Sequence, residues 1–172
     1  MTDGMTVSSS AWTIRPVCET DVPEILEIEQ AGYTHPWSEN DFTGCFGQRY
    51  HNWLLVDPVP DSNAKSAPIV AYGFSRMTLD EVELLNLCVA DRFRGQGAGG
   101  KLLRFMIDRS LQVGGKTMFL EVRQSNEVAI ALYSAAGFNE IGLRKGYYPA
   151  VNGRENAIVM ALELAFFSGN PE

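Results

Sequence analysis

The sequence has few cysteines and histidines, the residues that form disulfides or bind metal ions in small proteins. It has three cysteines, Cys18, Cys45 and Cys88, without CxxC spacing, and two histidines in unrelated contexts. An odd set of unspaced cysteines is typical of a reducing compartment, with buried thiols. So few candidate ligands argue against a metal site. We therefore expect a cytoplasmic protein that holds no metal.

Long apolar runs and clustered positive charge are missing as well. No stretch approaches the roughly 18 apolar residues that a membrane helix needs, and residues 1–10 have neither the basic region nor the apolar run of a secretion signal. The net charge is −7. Because phosphate binding relies on clustered Lys and Arg, this charge argues against free nucleic acid as a partner and agrees with a cationic substrate.

The length and composition predict one globular domain. The chain has 172 residues, 45% of them apolar, enough for a single core. We expect the domain over residues 11–166, with a loose lead at 1–10 and a tail at 167–172. Residues 57–68 hold three prolines among polar residues, which predicts a surface loop. A monomer or weak oligomer is the expected state.

Hydrophobic spacing predicts a mixed α/β domain in the order β-α-α-β-β-β-α-β-α-β-β. Thr20 and Asp21 are predicted to cap the first helix, and Ser38 to Asp41 form a capping box for the second. Asn126 is predicted to cap the last helix. The final two strands are expected over 138–143 and 156–164, which leaves Tyr147 to Pro149 in the connection between them.

A glycine cluster, Arg94 to Gly100 (RGQGAGG), follows a predicted strand and opens a predicted helix. Glycines let the backbone approach a ligand closely, and the N–H groups at a helix N-terminus bind phosphates. A plain turn is the simpler alternative, but four glycines in six residues would be costly there. The cluster predicts a phosphate cradle.

Two nucleotide-binding motifs also match this string. Gly95 to Lys101 fits GxxxxGK, but Leu102 stands where Ser or Thr must hold magnesium. The GxGxxG pattern fits too, with Glu121 about twenty residues further on. However, five residues separate Val89 from Gly95, and the preceding strands form a meander. Neither an NTPase nor a dinucleotide fold agrees with that context.

A third match extends far beyond the cluster. Arg94-x-x-Gly97-x-Gly99 is similar to the (Q/R)xxGx(G/A) loop of GCN5-related N-acetyltransferases (the GNAT superfamily). Further segments fall in register: residues 84–89 (LLNLCV), 120–123 (LEVR), 125–126 (SN), 129–133 (AIALY), 137–138 (GF), 147–149 (YYP), 153–155 (GRE) and 158–160 (IVM). Together with Pro36-Trp37-Ser38, they resemble the ribosomal-protein-alanine N-acetyltransferases of the RimI type.

The resemblance implies an α+β GNAT fold, with a mostly antiparallel, seven-stranded mixed sheet, four flanking helices and a splay between strands 4 and 5. It implies acetyl-coenzyme A as the acetyl donor, with Glu121 as the general base and Tyr133 as the acid that protonates the departing thiolate. The implied donor-binding residues are Leu87, Cys88, Val89, Arg94, Gly95, Gln96, Gly97, Ala98, Gly99, Gly100 and Asn126. At the end of strand 4 the backbone is expected to do the binding, since nothing nearby in sequence would activate the Cys88 thiol.

The resemblance further implies a protein N-terminus as the acceptor, the N-terminal alanine of the eighteenth protein of the small ribosomal subunit. Tyr33, Trp37, Tyr147 and Tyr148 would wall its cleft. A small-molecule amine or a lysine side chain is the alternative acceptor, and a coenzyme A-binding module without catalysis is a further hypothesis. Two departures from the subgroup stand out: Cys88 replaces a smaller alanine, and Gly146 precedes Tyr147 where asparagine is expected. The second leaves the identity of the acceptor open.

Overall fold

The structure is a computed structural model that describes residues 12–58 and 67–166. The expected lead at 1–10, the tail at 167–172 and most of the expected 57–68 loop lie outside the described residues. Within the described ranges, no helix is long and apolar enough to cross a membrane.

Seven strands and four α-helices follow one another in the predicted order. They are β1 (Thr13–Pro16), α1 (Val22–Gly32), α2 (Glu39–Thr43), β2 (Trp53–Val56), β3 (Ile69–Thr78), β4 (Glu81–Val89), α3 (Ala98–Gln112), β5 (Thr117–Arg123), α4 (Glu127–Ala135), β6 (Asn139–Ala150) and β7 (Gly153–Glu163). Short 3₁₀ turns lie at Glu19–Asp21, Asp91–Phe93 and Leu164–Phe166.

All seven strands form one sheet in the order β1-β2-β3-β4-β5-β7-β6. Neighbouring strands are antiparallel except β4 and β5, which are parallel. A parallel pair needs a crossover, and α3 supplies it. The mixed, mostly antiparallel sheet confirms the expected fold class.

The sheet splays open between β4 and β5. Their pairing runs from Glu81 opposite Thr117 to Leu84 opposite Leu120, and it stops there although both strands continue. At the same point β4 carries one extra residue, Leu85, against β3. A bulge of this kind bends its strand and increases the local twist. The carboxyl ends of β4 and β5 therefore separate and leave unpaired backbone between them.

Each face of the sheet has its own apolar cluster. On one face α3 and α4 cover β-strand residues such as Val70, Leu84 and Met118. On the other, Ile25 of α1 and Phe42 of α2 pack on β3. Gly73 in β3 permits the close approach of α3, because a Cβ at that position would overlap the Met106 sulphur. The two helix layers hold the splayed strand ends from both sides.

Two of the predicted caps are confirmed. The Ser38 Oγ accepts from the Asp41 N–H at 3.3 Å, while the Asp41 carboxylate accepts from the Ser38 N–H at 2.7 Å. The Asn126 Oδ1 accepts from the Ala129 N–H at 3.1 Å. Both helices thus begin where polar side chains satisfy otherwise free N–H groups.

The predicted cap of α1 is confirmed in position, since Asp21 is the N-cap residue, but its side chain accepts no hydrogen bond from the helix. Thr20 and Asp21 belong to the 3₁₀ turn before the helix, and Asp21 makes no side-chain cap. Its carboxylate instead binds both terminal nitrogens of Arg15 at 2.7 Å. Hydrogen bonding to Arg15 lowers the pKa of Asp21. The same carboxylate accepts from the Cys18 N–H at 2.8 Å, so it caps the 3₁₀ turn and binds β1 rather than the first N–H groups of α1.

The predicted position of Tyr147 to Pro149 in a connection is also wrong, because these residues lie in β6. The pairing of β6 with β7 is interrupted between Arg144 and Tyr148 and resumes with Tyr148 opposite Glu155. Gly146 lies within the interruption at φ +57°. The interruption breaks the period-two pattern, so the sequence shows two short pieces where the fold has one long strand.

Candidate active site

The glycine cluster forms a cradle at the N-terminus of α3. Gly95 and Gly97 have φ values of +72° and +83°, and Gly97 is the N-cap residue without a side-chain cap. A Cβ at either glycine would meet no heavy atom within 4 Å, so open space lies in front of the loop. The first helical N–H groups, at Ala98 to Gly100, have no partners within the helix. These features fit a pyrophosphate group.

The other residues of the cradle hold its shape. The Gln96 side chain donates to the Arg92 carbonyl at 3.0 Å, and Arg94 forms an ion pair with Asp91 at 2.9 Å. The Ala98 side chain is buried in the core. A Cβ at Gly99 would come within 3.4 Å of Leu132 in α4 and of Val89 in β4, so the helix start lies close to both elements. The N-terminus of α3 is therefore fixed to both the loop and the next helix.

The end of β4 presents main-chain groups to the splay. Ala90 donates to the Val70 carbonyl at 2.9 Å, which marks a hydrogen-bonded pair of the β3–β4 ladder. Because the pattern alternates, the N–H and C=O of Cys88 also point to β3, whereas those of Leu87 and Val89 point into the splay. The Leu87 carbonyl accepts from the Tyr33 hydroxyl at 2.9 Å, and the Val89 carbonyl accepts from the Arg94 Nε at 3.3 Å.

Glu121 lies on β5 at the edge of the splay, where three residues of β6 surround it. Arg144 forms an ion pair with its carboxylate at 2.8 Å, Nε to Oε1. The Tyr148 hydroxyl donates to its main-chain carbonyl at 3.2 Å. Hydrogen bonding to the Glu121 carboxylate raises the pKa of Tyr147. The other nearby arginine, Arg123, pairs with Glu155 at 3.3 Å instead.

Tyr133 lies in α4, in the apolar cluster on the α3–α4 face of the sheet. Its ring packs edge-on against Phe138 at 5.8 Å, and the side chain is buried. Burial, with smaller contributions from Tyr148 and Cys88, raises the pKa of Tyr133, so the phenol stays protonated at neutral pH. Burial likewise raises the pKa of the neighbouring Cys88 to about 11. A sulfur leaving group in the same surroundings would share this desolvation, which favours its neutral, protonated form.

Of the expected acceptor residues, Tyr148 binds the Glu121 main chain and contributes to the raised pKa of Tyr133. Burial and then Glu121 raise the pKa of Tyr148 to about 12. Tyr147 stacks edge-on against Tyr148 at 5.0 Å and is 40% exposed. Tyr33 reaches the far side of the splay through its bond to Leu87. The Trp37 ring packs on Phe42 at 5.2 Å and on Phe74 at 6.3 Å, so part of it belongs to the core.

Sequence reasoning missed one polar group beside the splay. Glu29 of α1 is 1% exposed and accepts hydrogen bonds from Tyr72, Asn86 and the Trp37 N–H. The signal was present: Glu29 lies four residues after Ile25 and seven after Val22, on the buried stripe of its helix. A carboxylate on such a stripe requires partners, and that requirement could have identified it.

The site can therefore combine three functions. The cradle and the end of β4 offer main-chain N–H groups to phosphates and amides. Glu121 supplies a carboxylate on β5 and Tyr133 a protonated phenol on α4, the two kinds of proton-transfer group that transfer of an acyl group to an amine requires. An aromatic surface of tyrosines lies beside the carboxylate and can take an extended ligand.

Comparison with known proteins agrees with this geometry. The sequence profile of the Acetyltransferase (GNAT) family matches residues 22–138. The "[Ribosomal protein bS18]-alanine N-acetyltransferase" of Escherichia coli K12 is 42% identical over 153 residues, which cover 89% of this chain and 98% of that protein.

Solved structures show the same fold. The crystal structure of the ribosomal-protein-S18-alanine N-acetyltransferase from Escherichia coli superposes with a TM-score of 0.81 at 38% identity and covers 94% of this chain and 99% of that one. A spermidine N-acetyltransferase chimera from Vibrio cholerae and a human enzyme superposes at a TM-score of 0.76 with 16% identity, covering 91% and 97%. The second likeness concerns the fold alone.

The expected resemblance is thus confirmed by profile, sequence identity and fold. The chain belongs to the GNAT family of acetyltransferases.

Proposed function

We propose that this protein transfers the acetyl group of acetyl-coenzyme A to the N-terminal α-amine of a protein, the N-terminal alanine of ribosomal protein bS18. The observation that carries the proposal is the 42% identity, over nearly the full length of both chains, to an enzyme named for that reaction. The splay between β4 and β5, with the Glu121 carboxylate on β5 and the protonated Tyr133 phenol on α4, supports the same chemistry.

In this proposal the chain's main-chain groups hold the donor. The N–H groups at the start of α3 bind its phosphates, and the Leu87 and Val89 groups in the splay bind the amides of its pantetheine arm and polarise the thioester carbonyl. The Cys88 side chain takes no part, since its raised pKa keeps it a neutral thiol. The Asn126 cap also contacts the donor, from the N-terminus of α4.

Glu121 and Tyr133 divide the proton transfers between them. The acceptor nitrogen forms a bond to the thioester carbon, and the carbon–sulfur bond breaks. Glu121 takes the proton that the amine loses, and Tyr133 gives a proton to the departing sulfur. Charge and atoms balance without a metal or an oxidant.

An α-amine suits a single carboxylate base better than a lysine does. The ordinary pKa values are near 8 and 10.4, so the neutral fraction at pH 7 differs by roughly 250-fold, or about 3 kcal/mol of deprotonation work. The net charge of −7 favours a basic protein as the acceptor. The three cysteines, free throughout the described residues, agree with the cytoplasm as the place of this reaction.

The test is an acetylation assay with a hexapeptide that begins Ala-Arg-Tyr, read out by mass spectrometry that locates the acetyl group. We expect one acetyl group, on the α-amine. The control is the same peptide with a blocked N-terminus and an added internal lysine, which should stay unmodified.

Turnover of small amines such as spermidine without peptide acetylation would contradict the proposed acceptor. Acetylation of the lysine in the blocked peptide would show that the enzyme acts on lysine side chains. Tight binding of acetyl-coenzyme A with no thiol release for any acceptor would indicate a binding module without catalysis.

A further inference from the structure

The buried Glu29 carboxyl joins three separate elements. Its Oε2 accepts from the Tyr72 hydroxyl of β3 and from the Asn86 Nδ2 of β4 at 3.2 Å, and its Oε1 accepts from the Trp37 main-chain N–H at 2.8 Å. Within residues 12–58 and 67–166, no other Asp, Glu, Lys or Arg side chain is buried to this degree. An isolated carboxyl in an apolar core is strongly destabilising unless it is hydrogen-bonded.

All three partners are neutral donors. No Lys, Arg or His among the described residues forms an ion pair with Glu29. The carboxyl is therefore held by directed hydrogen bonds, which need a fixed geometry, rather than by a mobile cation. An aliphatic residue here would pack against Ile25 and Phe42 without any such requirement, so the polar group serves more than the packing of the core.

One of the hydrogen bonds to Glu29 comes from the C-terminal end of the α1–α2 connection (residues 33–38). Trp37 directly precedes Ser38, the N-cap of α2, so the Trp37 N–H fixes where α2 begins. At the other end of the connection, Tyr33 donates to the Leu87 carbonyl at 2.9 Å. Both ends of the connection are thus tied to the rest of the fold by single, well-defined hydrogen bonds.

Glu29 and Tyr33 are both hydrogen-bonded to the same part of β4. Asn86 binds Glu29 and Leu87 binds Tyr33, and these two residues are neighbours at the start of the splayed segment. In the proposed function, this segment holds the thioester and the α1–α2 connection walls the acceptor. Glu29 is bonded to both segments, so the position of the α1–α2 connection limits the position of the splayed segment of β4.

We propose that Glu29 is a positioning residue: with Tyr72 and Asn86, it sets the separation between the α1–α2 connection and the splayed end of β4, and so the fit of the acceptor beside the thioester. This inference rests on the proposed acetyl transfer, but the network belongs to the chain whatever amine it acetylates. Its loss widens the cleft and weakens acceptor binding, while the cradle that holds the donor phosphates is unaffected.

The test compares Glu29→Gln and Tyr72→Phe with Ile25→Val. The control residue lies one turn earlier in α1, is fully buried and contributes no hydrogen bond to Glu29. It lowers stability through packing alone. For each variant, kcat and KM for the acceptor, Kd for acetyl-coenzyme A by calorimetry, and Tm are measured.

For Glu29→Gln we expect the KM of the acceptor to rise about tenfold, as loss of a directed hydrogen bond allows, with Kd for acetyl-coenzyme A changed less than about twofold. Tyr72→Phe removes one donor and should raise KM about threefold. In the double variant, KM should rise by less than the product of the two single-variant factors, because both substitutions act on one network. Ile25→Val should lower Tm without raising KM.

A second readout is independent of any acceptor. Amide hydrogen exchange over residues 33–41 should accelerate at least tenfold in Glu29→Gln and in Tyr72→Phe relative to Ile25→Val at matched loss of Tm. If no acceptor is found, the proposed function fails while this readout still decides the positioning role. Equal exchange in the variants and the control, or an equal rise of KM in Ile25→Val, overturns the inference, and Tyr72→Phe carries the test if Glu29→Gln does not fold.

Discussion

In the proposed function, residues 87–89 and 94–100 form the donor region, and residues 29–38 and 144–148 form the acceptor region. In the donor region the contacts offered to a ligand are main-chain groups, presented by glycines at positive φ and by an unpaired strand end. In the acceptor region the contacts come from side chains, those of the two stacked tyrosines of β6 and of Glu121 with its partner Arg144, while the buried Glu29 holds the α1–α2 connection by hydrogen bonds.

This difference has a consequence for how the two regions can vary. Main-chain contacts are the same for every residue type that fits the conformation, so the donor region is constrained in backbone shape. Side-chain networks change with each substitution, so the acceptor region can be altered one residue at a time.

The largest expected effect lies in the donor region. Gly97→Trp should weaken acetyl-coenzyme A binding by more than about 100-fold, because a non-glycine residue is strained at φ +83° and the indole fills the open space before the loop. Circular dichroism should show a folded protein, and calorimetry gives the affinity. Undiminished binding would mean that the cradle does not hold the donor.

Tyr133→Phe should come next. If Tyr133 protonates the leaving sulfur, kcat falls by about 10² to 10⁴, while Kd for acetyl-coenzyme A changes less than about threefold, because the phenyl ring keeps its packing on Phe138. Tyr50→Phe, a tyrosine outside the site, is the matched control. An unchanged kcat in Tyr133→Phe would remove this residue from the acid role.

Glu121→Gln separates a base from a structural ion pair. As the base, its loss lowers kcat/KM by about 100-fold. As a partner of Arg144 alone, its loss changes only the free energy of unfolding, by less than about 1 kcal/mol for so exposed a pair. Glu83→Gln is the control, since Glu83 is also a strand carboxylate paired with an arginine, Arg76. Equal kinetics for both variants would sink the base assignment.

The smallest effect is expected at Cys88. If its backbone alone serves the donor, Cys88→Ala keeps kcat/KM within about threefold of the parent. With a pKa of about 11, about a thousandth of this thiol is ionised at pH 8. Iodoacetamide at pH 8 should therefore modify the exposed Cys18 much faster than Cys88. Rapid loss of activity on alkylation of Cys88 would contradict a passive side chain.

The backbone conformation of the glycine loop and the cap of α4 could be predicted from the sequence, whereas the side-chain network around Glu29 and the strand β6 could not. Glycines at positive φ and a cap such as Asn126 are local requirements, which leave a local pattern at Gly95 to Gly100 and at the start of α4. Tyr72 and Asn86, in contrast, reach Glu29 from 43 and 57 residues away. No spacing rule links such positions, and the break at Gly146 concealed the strand that carries Tyr147 and Tyr148.

The extra residue in β4 shows how this fold could lose its function without losing its core. Because Leu85 is the unpaired residue of the bulge, Asn86 faces α1, and Leu87 and Cys88 alternate from there. A chain lacking Leu85 would keep these three side chains on their present faces, since the bulge and the missing residue cancel in a period of two. It would, however, have a regular strand without the bend that parts β4 from β5. A single deletion could thus leave a well-packed protein with a closed sheet, so length in this strand is as much a part of the site as any residue in it.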